Sequence, residues 1–77
     1  MQPLEQFTKR IKDLREDEWK TQKEVADYLK ITQQQYSLYE SGKRLMPLDL
    51  IIELAKYYNV DMDYIAGISK YKTPYKK

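Results

Sequence analysis

The sequence contains no cysteine and no histidine. Disulfides, thiolate nucleophiles, imidazole bases and the usual zinc ligand sets are therefore excluded, and neither a metal nor a cofactor is expected. The acids and bases that remain are carboxylates, lysines and tyrosines. None forms a recognisable catalytic constellation, so an enzyme is not expected. Glycine is scarce as well: only Gly42 and Gly67 occur, which leaves no phosphate-cradling loop. No apolar run approaches the roughly 18 residues that span a bilayer, and the start MQPLEQFTKR has no signal-like hydrophobic stretch. The expectation is a cytoplasmic protein with no membrane partner. Sustained alternation of apolar and polar residues is also missing, so strands are not expected.

What is present points to one small folded unit. Seventy-seven residues suffice for one compact domain, and 42% hydrophobic residues with ten aromatics are too apolar for a disordered tail. The net charge of +2 is too small to name a partner by itself. Its distribution is uneven. Lys43 and Arg44 stand together, and residues 70–77 carry four lysines and no acid, whereas residues 47–69 carry four acids and only Lys56. Residues 1–69 are read as the domain and 70–77 as a basic tail expected to fray.

Helical spacing runs through the chain. Leu4, Phe7, Ile11 and Leu14 recur at three- and four-residue steps and predict a first helix that fades in the run Arg15 to Glu18. Thr21, with Glu24 three residues on, supplies a capping box for a second helix whose inner face is Val25, Ala26 and Leu29. Thr32 caps a third helix that ends near Ser41 and Gly42. Pro47 opens a fourth with the stripe Ile51, Leu54, Ala55 and Tyr58. Asn59 ends it, Asp61 caps a short fifth helix, and Gly67 stops that. Asp61 and Asp63 are better accounted for by capping and a solvated face than by metal binding. The fold class predicted is all-α, five short helices in a compact unit, with helices two and three about three residues apart as in a helix-turn-helix.

The stretch LREDEWKTQKEVADYLKITQQQYSLYESGKRLMPLDLIIELAKYYNVDMDYIAG, Leu14 to Gly67, resembles the Cro and repressor (Cro/C1) type of helix-turn-helix regulators, the XRE family. Leu14–Arg15, Thr21–Gln22, Val25–Ala26, Tyr36 to Gly42, Pro47, LAKYYNV and DYIAG fall in the family's order and spacing. Two positions depart from it. Lys30 stands in the turn where the family favours glycine or asparagine, and a left-handed backbone there costs about 1 kcal/mol. Lys20, before Thr21, stands where an apolar residue is usual, and neighbouring Trp19 is expected to cover that part of the core.

The resemblance implies a sequence-specific, double-stranded-DNA-binding transcriptional regulator, most simply a repressor, acting as a homodimer on a palindromic operator. On a helical wheel at about 100° per residue, Gln33, Gln34, Ser37 and Leu38 share one side of the third helix while Tyr36 and Tyr39 face the opposite way. A glutamine fork matches the N6 donor and N7 acceptor of adenine in the major groove. Thr32, Gln33, Gln34, Ser37 and Leu38 are therefore the expected base-reading residues, with the Thr32 methyl and Leu38 suited to thymine methyls. Gln35 falls between the two faces. Gln22, Lys43 and Arg44 are the expected phosphate contacts. By resemblance, Arg15 and Glu40 form a structural ion pair tying the third helix to the first. Met62, Tyr64, Ile65 and Ile68 are the expected dimer-interface residues. The competing expectation is a protein-interaction module, such as the antitoxin of a toxin–antitoxin pair.

Overall fold

The computed structural model describes residues 3–76, with side chains from Glu5 onward, so Leu4 of the expected stripe and the terminal Lys77 lie outside the described side chains. Five helices follow one another: α1 Pro3–Asp17, α2 Gln22–Leu29, α3 Gln33–Ser41, α4 Leu48–Tyr58 and α5 Met62–Ile65. No strand occurs among the described residues. The expected all-helical class holds.

Local chemistry sets the helix starts. The Thr21 hydroxyl accepts the Glu24 N–H at 3.1 Å while Glu24 Oε1 accepts the Thr21 N–H at 2.9 Å, which closes the predicted capping box. Asp61 accepts the Tyr64 N–H at 2.8 Å and starts α5. Pro47 sits at the cap position of α4 and offers no side-chain bond.

The helix ends share one device. After each helix the chain places one residue in the left-handed region: Trp19, Lys30, Gly42, Asn59 and Gly67. The next N–H then reaches back to the carbonyl five residues earlier: Lys20 to Arg15, Ile31 to Ala26, Lys43 to Leu38, Val60 to Ala55 and Ile68 to Asp63, at 2.9–3.0 Å. This motif satisfies carbonyls that a helix end leaves open. Glycine fills only two of the five positions.

That motif also explains a correction. Trp19 does not cover the core; it is 92% exposed. In this type of helix end the residue after the left-handed one folds back onto the helix. Here that residue is Lys20, half-buried, with its ammonium 5.5 Å from the centroid of the Tyr57 ring. Tyr57 in turn packs on Tyr28 at 4.2 Å between centroids. A lysine stem thus occupies the place expected to be apolar.

The core is built from Phe7, Ile11 and Leu14 of α1, Val25, Ala26 and Leu29 of α2, Tyr36 and Tyr39 of α3, and Leu54, Ala55 and Tyr58 of α4, closed by Met46, Val60 and Ile65. Ile65 is fully buried, so it belongs to this core and is removed from the interface candidates. Burying it is what holds a helix of only four residues in place. Arg10 ties the same region to α1: it donates to the Tyr64 carbonyl and, at 3.0 Å, to the Ser69 carbonyl, with its guanidinium 3.9 Å from the centroid of the Tyr64 ring. Part of the segment after α5 is tied back to the domain. The Thr73 carbonyl accepts the Asp61 N–H at 2.7 Å, Asn59 Oδ1 accepts the Tyr75 N–H at 3.2 Å, and Tyr75 packs on the core.

Candidate nucleic-acid interface

The third helix begins at a reciprocal cap. Thr32 has extended backbone angles, its hydroxyl accepts the Gln35 N–H at 3.1 Å, and Gln35 Oε1 accepts the Thr32 N–H at 3.1 Å. Both partners are local, so the helix start is fixed independently of the rest of the fold. From there Tyr36, Tyr39 and Glu40 turn inward and are buried. Thr32, Gln33 and Gln34 are exposed, while Ser37 and Leu38 are half-buried. The five expected base-reading residues thus fall at the start and along one side of a single helix whose other side is packed.

Glu40 lies inside the structure with its side chain 5% exposed, against an Arg15 side chain 13% exposed. Arg15 donates from Nε to Oε2 and from Nη2 to Oε1, both at 2.9 Å, a bidentate pair. Its Nη1 donates to the Lys20 carbonyl at 2.9 Å, and Gln22 Nε2 donates to Glu40 Oε1 at 3.2 Å. One carboxylate therefore joins α1 and α2 to the third helix, and the same arginine pins the turn before α2. Burial alone would push the Glu40 carboxyl up, but the hydrogen bonds from Arg15 and Gln22 outweigh it and hold the group below its usual range. The pair expected from family resemblance is present.

Gln22 is half-buried at the start of α2 and spends one amide hydrogen on Glu40. The other hydrogen and the oxygen remain to meet a ligand. Lys43 and Arg44 are exposed, and their backbone N–H groups both donate to the Leu38 carbonyl, at 3.0 and 3.2 Å, so the two cations begin at a fixed place under the end of α3.

Two residues escaped the sequence reading. Lys12 and Ser41 share a shallow concavity with Arg15, Gln22, Ser37 and Glu40, where α1, α2 and α3 meet. Lys12 brings a cation to this hollow, Ser37 a hydroxyl and Gln22 an amide, while the Glu40 carboxylate there is paired with Arg15 and the Ser41 hydroxyl donates to the Leu38 carbonyl at 3.2 Å. Ser41 was within reach of the wheel, since it lies about 80° from Gln33 and inside the same arc. Lys12 had no comparable signal, because its nearness to α2 and α3 depends on how the helices pack.

Of the expected interface residues, Met62 and Tyr64 are half-buried and Ile68 is 78% exposed. Among the described residues, Leu45, Leu48 and Tyr71 are the other large apolar side chains, besides Trp19 and Tyr28, that face solvent. Among the described residues no helix is long and apolar enough to cross a membrane.

A helix-turn-helix family model matches residues 11–65, from the middle of α1 to the end of α5. The chain is 32% identical over 63 residues to the uncharacterized HTH-type transcriptional regulator YobD of Bacillus subtilis (strain 168), covering 82% of this chain and 56% of that protein. It is 39% identical over 59 residues to the HTH-type transcriptional regulator ImmR of the same organism, covering 77% of this chain and 46% of that protein. The chain thus spans about half the length of these curated relatives. No solved structure gives a significant match. The match takes in the capped α2–α3 unit and the helices that support it, and the chain belongs to the Cro/C1-type, or XRE, family of helix-turn-helix proteins.

Proposed function

We propose that this protein is a sequence-specific regulator of transcription that binds double-stranded DNA with the start of α3 in the major groove. The observation that carries the proposal is the division of α3: Gln33 and Gln34 exposed, Tyr36 and Tyr39 buried beneath them. In this reading Gln33 and Gln34 form amide forks with adenine edges, Leu38 and the Thr32 methyl meet thymine methyls, and Ser37 completes the set. Gln22, Lys43 and Arg44 hold the phosphates, helped by Lys12 at the concavity.

One such helix covers only a few base pairs, so the protein acts in the cytoplasm as a homodimer on a palindromic operator, with half-sites about 34–36 Å apart. Met62, Tyr64 and Ile68 supply the contact between copies. Repression follows from occupying the operator.

Selection of bound duplexes from a random pool tests this. Adenine enrichment is expected in each half-site, and Gln33→Ala or Gln34→Ala weakens it by about 1–3 kcal/mol of discrimination per lost fork. Lys43→Ala lowers affinity for every sequence and reduces the salt slope by about one unit. A pool without enrichment would refute base reading and favour a protein-interaction module on the same fold.

A further inference from the structure

Three consecutive glutamines begin α3, and the third does something different from its neighbours. The Gln35 amide is oriented without ambiguity: the Thr32 backbone N–H can only donate, so it must face Oε1 and not Nε2. The Thr32 hydroxyl is committed at the same place. It accepts the Gln35 N–H at 3.1 Å and gives its own hydrogen to Gln35 Oε1 at 3.4 Å. Thr32 is exposed nonetheless. Its hydroxyl turns into the helix, and tetrahedral geometry at Cβ leaves the γ-methyl on another corner, away from the cap.

We infer that Gln35 is a positioning residue for base reading: by holding the hydrogen of the Thr32 hydroxyl, it makes Thr32 a methyl-only probe of the major groove. This rests on the proposal that α3 reads DNA. A free threonine hydroxyl can donate to purine N7, guanine O6 or thymine O4 and tolerates several bases. With its hydrogen bound inside the cap, the side chain offers the groove a methyl group, whose complement is the C5 methyl of thymine. Gln35 touches no base in this arrangement. Its effect appears in what Thr32 accepts.

The test uses the full chain and the duplex it selects from a random pool, with each thymine replaced in turn by deoxyuridine, which lacks only the C5 methyl. Wild type is expected to lose about fourfold in affinity at the thymine under Thr32, the factor that one buried methyl is worth. In Gln35→Ala the backbone N–H of residue 35 still holds the Thr32 oxygen, so the methyl and its penalty stay, but the hydroxyl hydrogen is released and the base preference there broadens to bases that accept it. Gln35→Glu, whose carboxylate accepts the same N–H and O–H groups, restores the narrow preference. Thr32→Val keeps the methyl without the hydroxyl and retains the wild-type preference at that base, which provides a check that does not depend on the folding of Gln35→Ala. A folded Gln35→Ala protein that keeps the wild-type base preference at that position overturns this inference alone, as does a wild type that selects an operator with no methyl-sensitive thymine there. A wild type that selects no sequence overturns the reading on which it rests, and this inference with it.

Discussion

Replacing Glu40 by alanine removes the one carboxylate on which three helices converge. The Arg15 guanidinium then keeps its bond to the Lys20 carbonyl and the Glu16 carboxylate 3.9 Å from Nη2 but loses both hydrogen bonds to Glu40, and Gln22 loses its acceptor. With side chains only 13% and 5% exposed, water cannot fully replace what is lost. Breaking one side of such a pair costs about 3–5 kcal/mol, and the retained carbonyl bond places this case near the lower end, about 3 kcal/mol. A fold of 77 residues has about 4–12 kcal/mol in total, so Glu40→Ala consumes a large share. Urea unfolding followed by far-ultraviolet circular dichroism measures it directly. The double variant Arg15→Met with Glu40→Leu should recover most of the loss, since an apolar pair leaves no buried charge unpaired. The acid limb of stability carries the same signature. Glu40 titrates below the ordinary glutamate value of about 4.3 in the folded state, so its contribution is complete above that pH and fades as pH falls through the lower folded value. Glu40→Gln removes that part of the acid dependence. A Glu40→Ala cost below about 1 kcal/mol, the level of a solvated surface pair, would refute the reasoning.

Two further predictions concern the left-handed helix ends. Lys30→Gly should stabilise the protein by up to about 1 kcal/mol, because Lys30 has φ +61 and is exposed, and glycine adopts that geometry without a Cβ clash; an unchanged or lower urea midpoint refutes this. Gly67→Ala should destabilise by about 1–3 kcal/mol, since φ is +85 and an added Cβ would lie 2.7 Å from Gln6 Cβ and 3.1 Å from the Gln6 carbonyl carbon. A neutral Gly67→Ala would show that the crossing of residues 67–69 over α1 is loose.

Much of this architecture could be read in the sequence because the signals are local. A Thr followed three residues later by Glu, an Asn at a helix end and an Asp before a short apolar run each act on backbone groups within one turn. Misreadings came where the answer depends on partners far along the chain or on direction rather than spacing. Trp19 and Lys20 are neighbours, and only the left-handed angle at Trp19 decides which folds inward. Ile65 sits in a helix too short to show a stripe, so its burial could not be separated from exposure by periodicity. The tail looked free because nothing in KYKTPYKK announces that Thr73 offers its carbonyl to Asp61. At the candidate interface, Gln33 and Gln34 were legible from the wheel, whereas the roles of Lys12 and Gln22 depend on the packing of α1 against α2 and α3.

Trp19 has a practical consequence. It is the only indole in the protein, and it stands in solvent on a turn whose following carbonyl is pinned by Arg15. Its emission will look alike in native and urea-unfolded chains, so it is a poor gauge of folding. Only Lys20 and Thr21 separate it from Gln22, which makes it a built-in optical sensor for any molecule that settles against the start of α2.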